Sequence, residues 1–335
     1  MDEHLRTTDE LPAEGPLLFG RLLDGEGGAR PIGWAQAQRW RRGLGHEVLW
    51  LHFDRTLPGV EEWLERQGIP EPTAELLTSD DTRPRAFREG DALVTTLRGV
   101  NFNPGAEPED MVSIQVWSDG ARVFTLRRHS MQTTREVAHE LDQGHGPRDA
   151  GGLITLLIER MIARMNHSIV DMNEAIDELE LAPVDVDPGG MLGKIAAIRH
   201  NCLGLQRHMA PQHDALEAIR REAPKWFEDH DRREIAEAIA RLRRYLDDID
   251  ISKESAVVLL DELRAFTAAR SERINFLLTA VASIFLPLTF LTGLIGMNVV
   301  GIPYANHPWS FWVIVAVCAA IALAQVWLFR RWKWL

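Results

Sequence analysis

The chain has 335 residues, with 37 Lys and Arg against 49 Asp and Glu, giving a formal net charge of −12. That balance, with no basic stripe along the chain, argues against a nucleic-acid partner, whose phosphates call for clustered cations. Two cysteines, Cys202 and Cys318, are too few for a disulfide framework. The opening stretch "MDEHLRTTDELPAEG" is acidic and has no apolar run, so no secretory signal is expected.

Residues 1–150 mix short β-like runs with polar turns. "PLLFGRLLD", "EVLWLHFD", "DALVTTLRGV", "MVSIQVWSDG" and "ARVFTLRR" are rich in apolar and β-branched residues and bounded by Gly, Pro or Asp, the pattern of strands. "SDG" at 118–120 predicts a hairpin turn, and the Gly-rich "DGEGGARP" at 24–31 reads as another rather than as a phosphate cradle. "GVEEWLERQG" and "TTREVAHELDQG" predict helices, the second opened by Thr133 or Thr134 with Glu136 close behind. The expected class is an α/β (α+β) cytoplasmic domain, with the strand order open.

From Gly151 the pattern is helical. A helical hairpin is expected over 151–230, with one arm ending at Leu181, a turn at "APVDVDPGG", and a second arm from Met191 to about Glu222 before Pro224 breaks it. A stalk helix follows over 231–273. Apolar or small residues recur there at steps of three and four: Ile235, Ile239, Leu242, Leu246, Ile249, then Ala256, Leu260 and Leu263, interrupted by Lys253. This heptad seam either bundles several copies around an axis or packs within one chain against the two preceding helices.

No Asp, Glu, Lys or Arg stands between Arg273 and Arg330. Crossing a bilayer takes about 20 apolar residues, so 274–295 and 309–329 predict two membrane helices joined by an outer loop, 296–308. No Pro or Gly separates the stalk from the first span, so Asp231 to Ile295 could be one helix of roughly 95 Å at about 1.5 Å per residue. Arg264, Arg270 and Arg273 flank one end, and Arg330, Arg331 and Lys333 of the basic tail 330–335 the other, while the loop has no cation. The excess of cations on cytoplasmic flanks predicts both termini in the cytoplasm, with Trp309, Trp312, Trp327, Trp332 and Trp334 near the interfaces.

Two spans per chain cannot enclose a polar path, but a ring of chains can. Asn275, Thr279, Ala282, Leu286, Thr289, Gly293 and Gly296 form one stripe on the first span, suited either to close helix packing or to a narrow wet path. Pro287 lies within the span, where it should loosen the helix. No Walker, G-x-S-x-G, H-E-x-x-H or C-x-x-C motif occurs, so an enzyme is not expected. The competing class is a membrane-anchored sensor or scaffold, which would need neither the second span nor the continuous stalk.

Two spans near the C-terminal end, Gly296-Met297-Asn298 closing the first, a long preceding helix and the tail "RRWKWL" together resemble the CorA family of divalent-cation transporters. In that family the residues after the triplet separate branches. Magnesium members typically carry a Met-Pro-Glu-type loop, whereas this chain has "GMNVVGIPYANHPW" with Gly301-Ile302-Pro303 and no acid, similar to the zinc-transporting ZntB branch. Val300 departs from that branch, which usually has Gly there. The resemblance implies a homopentamer with a funnel-shaped cytoplasmic domain, an inner-membrane location, the first span lining a central pore and the Gly296, Met297 and Asn298 triplet at its mouth. It implies no bound cofactor, with zinc as cargo and possible coupling to protons; the runner-up cargo is magnesium, cobalt or nickel.

A ring of Asn298 amides could hydrogen-bond the water shell of a hydrated cation without holding it tightly. Zinc prefers His and Cys ligands, which the stripe lacks, so passage of a hydrated ion is expected. Among other candidates, His307 in the outer loop could form a capture ring or simply face solvent. His200, Cys202, His208 and His213 cluster in sequence, but His200 and Cys202 point about 200° apart on a helix. His167 with Asp171, and the acidic tip "DELELAPVDVDP", read by default as solvated surface. Glu272 and Asp261 on the stalk are the candidates for a proton site.

Overall fold

The computed structural model describes residues 15–43, 46–101, 103, 105, 111–183, 187–297 and 307–331. It divides into two compact units, residues 1–260 and 261–335.

The first unit is built on one seven-stranded sheet. Its strands are β1 (Leu17–Leu23), β2 (Ala29–Pro31), β3 (Val48–Asp54), β4 (Arg85–Glu89), β5 (Ala92–Val100), β6 (Met111–Ser118) and β7 (Arg122–Arg127). The spatial order is β2-β1-β3-β7-β6-β5-β4. All neighbours are antiparallel except β3 and β7, which run parallel with Leu51 opposite Phe124. A sheet of this mixed kind agrees with the expected α/β (α+β) class.

Side chains alternate across the pleat, and both faces are buried. On one face Leu49, Leu51, Phe53, Trp117, Phe124 and Leu126 pack under α1 (Trp34–Arg39), α2 (Val60–Arg66) and α3 (Glu71–Thr78). The Trp63 ring lies 5.0 Å from Phe53 and 5.2 Å from Phe124. On the other face, Trp50 Nε1 donates to Thr125 Oγ1, which also bonds His52 Nδ1 at 2.8 Å. Burial pushes the His52 imidazole well below its ordinary pKa, with Arg127 adding to the effect, so the ring is neutral.

The predicted hairpins form where their turn residues allow. At the β6–β7 turn Gly120 has φ of +84° and Asp119 accepts from the Ala121 and Arg122 amides. At the β1–β2 turn Asp24 accepts from the Glu26 and Gly28 amides. Helix α4 (Gln132–Asp142) differs from expectation at its start. Its N-cap is Met131, without a side-chain cap, and Thr133 and Thr134 lie buried inside the first turn. The Thr134 hydroxyl donates back to the Met131 carbonyl.

Three long helices follow: α5 (Ala150–Leu181), α6 (Pro188–Glu222) and α7 (Asp229–Ile295). Asp149 caps α5 by accepting from the Gly152 amide at 2.7 Å. Asp187 caps α6 in the same way through Gly190, with Pro188 at its first position, a favoured N-terminal arrangement. In the first unit the heptad seam is used within the chain. Ile235, Ile239, Leu242, Ile249, Ala256 and Leu260 are all buried, as are Ile169, Met172 and Ile176 of α5 and Ile198, Cys202 and Leu205 of α6, and side-chain hydrogen bonds tie α7 to both helices. Ser252 Oγ donates to Asn173 Oδ1 of α5 at 2.6 Å. Lys253, the break in the seam, reaches Gln206 Oε1 of α6 and Asp250 Oδ1. The first part of the seam is thereby occupied by its own chain, so it does not by itself require a bundle of copies.

The second unit contains the end of α7 and α8 (Ser310–Arg331). Both helices are long and apolar enough to cross a membrane. Their large side chains, among them Leu278, Phe285, Phe290, Trp312 and Leu323, are exposed, as expected of surfaces whose solvent is lipid.

Candidate ion pathway

The apolar part of α7 presents two different faces. Asn275, Thr279, Ala282, Leu286, Thr289 and Gly293, the stripe proposed for the path, are all exposed in the single chain. Phe276, Ala280, Ser283, Ile284, Pro287, Leu288, Leu291 and Ile295 are half-buried, and their mean direction is on the order of 150° round the helix from the stripe at 3.6 residues per turn. The half-buried face is where α8 engages, since Gln325 Nε2 donates to the Ser283 carbonyl at 2.9 Å. The stripe is left open to neighbours outside this chain.

The polar members of that stripe are partly committed. Thr279 Oγ1 donates to the Asn275 carbonyl and Thr289 Oγ1 to the Phe285 carbonyl, each at 2.8 Å. Such back-bonding to the preceding turn uses the hydroxyl proton and leaves the oxygen lone pairs as acceptors. Apart from Leu286, the open stripe consists of acceptors and small side chains, which suits a cation that keeps its water.

The helix ends at the triplet. Gly296 donates its amide to the Thr292 carbonyl at 2.8 Å, and Met297 is exposed. Asn298, Val300 and Gly301-Ile302-Pro303 lie outside the described residues, as does Lys333 of the tail. His307 stands at the start of α8, where its Nδ1 accepts from the Trp309 amide at 3.4 Å and its carbonyl accepts from Ser310. With Nδ1 so engaged, Nε2 is the nitrogen turned to other uses. Glu272 and Asp261 are exposed, and Asp261 accepts from Arg264 at 3.3 Å.

The histidine and cysteine cluster of α6 is dispersed. Cys202 is buried, its thiol 3.1 Å from Met172 Sδ, and desolvation pushes it up to about 11, so it is a poor metal ligand. His208 bonds Arg98 at 3.1 Å, and burial with that cation lowers its pKa. His213 lies 3.7 Å from Asp214, and His167 and Asp171 are both exposed. Among the described residues no group of three or more His, Cys, Asp or Glu side chains is arranged to hold a metal ion.

One acidic gathering has no signature in the sequence. A cleft of about 690 Å³ at the starts of α5 and α7 brings together Glu140, Asp149, Glu159, Asp231 and Glu234. Its acids are largely engaged: Glu140 with Arg160 at 2.9 Å, and Glu234 with His230 at 3.8 Å. Asp231 is 3% exposed and accepts from the Glu228 amide at 2.9 Å. Desolvation raises its pKa from 3.8 to about 6. Gly151 packs so closely over this carboxylate that a Cβ there would overlap it.

A mixed-sheet domain, a three-helix bundle and two helices long and apolar enough to cross a membrane are the architecture of a membrane-anchored protein, and the family and relatives that it matches are transporters rather than enzymes. The family model for the CorA-like Mg2+ transporter protein matches residues 45–331, and the chain belongs to that family of divalent-cation transporters. Over 324 residues the chain is 36% identical to the divalent cation transporter CmaX of Pseudomonas aeruginosa, covering 95% of this chain and 97% of that protein. It is 33% identical over 316 residues to the zinc transport protein ZntB of Pectobacterium carotovorum, covering 93% and 94%. The solved structure of full-length CmaX superposes with a TM-score of 0.83 at 34% identity, covering 96% of this chain and 99% of that one.

Proposed function

We propose that this protein is an inner-membrane zinc transporter that works as a ring of five copies, with residues 274–295 of α7 lining a central path. The observation that carries the choice of ion is the outer loop. From Met297 to Trp309 it holds no acid, and similarity to a zinc transport protein extends over 93% of the chain. Five Asn298 amides at the mouth would exchange hydrogen bonds with the outer waters of a hydrated cation and release it readily. The open face of α7, with its small side chains and acceptor oxygens, supports the same reading. Both termini sit in the cytoplasm in this arrangement, because the cationic residues flank the spans and avoid the loop.

Inward movement is favoured electrically. A divalent ion gains about 4.6 kcal/mol per 100 mV of inside-negative potential, twice the value for one elementary charge. Apart from Cys318, no ionisable side chain lies between Ile274 and Ile295 or between Trp309 and Phe329, so proton coupling calls for groups outside the spans, with Asp261 and Glu272 as the candidates. Magnesium transport is the second reading, favoured by the description of the family model. Zinc uptake into liposomes, measured against excess magnesium and with and without an imposed pH gradient, separates these readings. Uptake unaffected by magnesium supports zinc, and suppression by magnesium at comparable concentration would overturn that choice.

A further inference from the structure

Pro287 lies inside the membrane segment of α7. A proline nitrogen carries no hydrogen, so the carbonyl four residues earlier loses its usual helical donor. That carbonyl belongs to Ser283. Within hydrocarbon there is no water to replace the missing donor, and a buried backbone carbonyl is nearly always paired.

The structure supplies the missing donor from the other span. Gln325 Nε2 of α8 donates to the Ser283 oxygen at 2.9 Å. The threonine hydroxyls of the same segment bond elsewhere: Thr279 to the Asn275 carbonyl, Thr289 to that of Phe285, and Thr292 to that of Leu288. Between Ser310 and Arg330, Gln325 is the one amide or charged side chain in α8. Its Oε1 is buried without a partner among the described residues. The polar group is therefore placed for what its NH2 reaches.

We infer that Gln325 is a positioning residue for transport, whose amide stands in for the backbone N–H that Pro287 removes. The bond ties α8 to the one point of the α7 span where the backbone ladder is broken. Because a side chain rather than the backbone closes that gap, the local course of α7 at Pro287 is tied to where α8 stands. The open stripe from Asn275 to Gly293 lies on the other side of the helix, so the latch fixes the direction in which it faces. The link to ion flux rests on the transport reading above, whereas the bond itself does not.

The coupling can be measured by a double-mutant cycle. Pro287→Ala restores a backbone donor to the Ser283 carbonyl. Gln325→Met keeps the length and apolar stem but removes the amide. In liposome-reconstituted protein, Gln325→Met in the native background should lower the thermal midpoint by roughly 2–6 °C. In the Pro287→Ala background it should lower it by less than half as much. Zinc flux should follow the same pattern, falling several-fold in Gln325→Met and returning toward the Pro287→Ala level in the double variant.

Equal thermal losses in the two backgrounds would overturn the latch. Thermal coupling with flux unchanged by Gln325→Met would overturn the positioning role. Should Gln325→Met fail to fold, recovery of folded protein on adding Pro287→Ala supports the latch, and no recovery overturns it. If wild-type protein moves no zinc, the transport reading fails, while the thermal cycle still reports on the bond.

Discussion

Replacing Asp231 with Asn should make the protein more stable at neutral pH, although it removes a charge from the start of a helix. Asp231 occupies the third position of α7 and reaches back to the Glu228 amide, the second half of a capping box. Its burial beneath Gly151 at the first turn of α5 withdraws the carboxylate from water. The folded-state pKa of about 6 lies above the ordinary 3.8. The folded protein therefore binds more protons than the unfolded chain between these values, and stability falls as pH rises through that window. Above pH 6 the loss is complete, at about 3 kcal/mol for a shift of roughly two units. An Asn amide oxygen can accept the same Glu228 hydrogen without ionising. Asp231→Asn should thus gain up to ~3 kcal/mol over wild type at pH 7.5, and the two should converge near pH 4. Thermal or chemical denaturation of the detergent-solubilised protein across pH 4–7.5 reads the difference. A gap that does not change with pH, or a variant less stable than wild type at pH 7.5, would refute the reasoning and favour a dominant helix-dipole attraction.

Three further predictions follow from other parts of the chain. Asn298→Ala should abolish most zinc flux while the oligomer still assembles, as read by liposome uptake matched to oligomer content; flux at the wild-type level would remove Asn298 from the mouth. His307→Ala should lower zinc flux while sparing magnesium flux if Nε2 captures the ion; equal effects on both ions would leave this histidine as a cap of α8 only. Gly120→Ala should destabilise the first unit by about 1–3 kcal/mol, because φ is +84° and a Cβ would strike the Trp226 ring. Chemical denaturation checks this, and an unchanged midpoint would show that Trp226 moves aside freely.

Much of the architecture was legible because its signals are local. Charge-free runs of membrane length, the Asp119-Gly120 turn and the strongly apolar strands each need only their own residues to be read. Elements without such a pattern were not. Strand β4, "RAFRE", has no clean alternation of burial, β2 has three residues, and α1 has six. The sequence pattern starts α6 at Met191, because Gly189 and Gly190 resemble a loop, whereas Asp187 caps a helix that begins three residues earlier at Pro188.

The heptad seam shows a different limit. A period of three and four states that one face will be buried, but the same pattern serves a partner helix from another copy or from the same chain. Lys253 looks like a flaw in the seam until Gln206 and Asp250 are seen beside it. The ion pathway divides in the same way. Pro287 identifies Ser283 as the carbonyl without a donor by counting alone, and Gln325 stands out as the lone amide of α8. That these two meet depends on how the helices pack, which the sequence does not state. The acidic cleft draws Glu140, Asp149, Glu159 and Asp231 from three separate helices, so no spacing rule could have gathered it.

The most direct test is zinc influx into liposomes containing this protein alone, under an imposed inside-negative potential. Transport predicts influx that scales with protein content and rises with the potential, as a divalent charge requires. Protein-independent influx, at any potential, would contradict it and leave the two membrane helices as an anchor for the sheet domain.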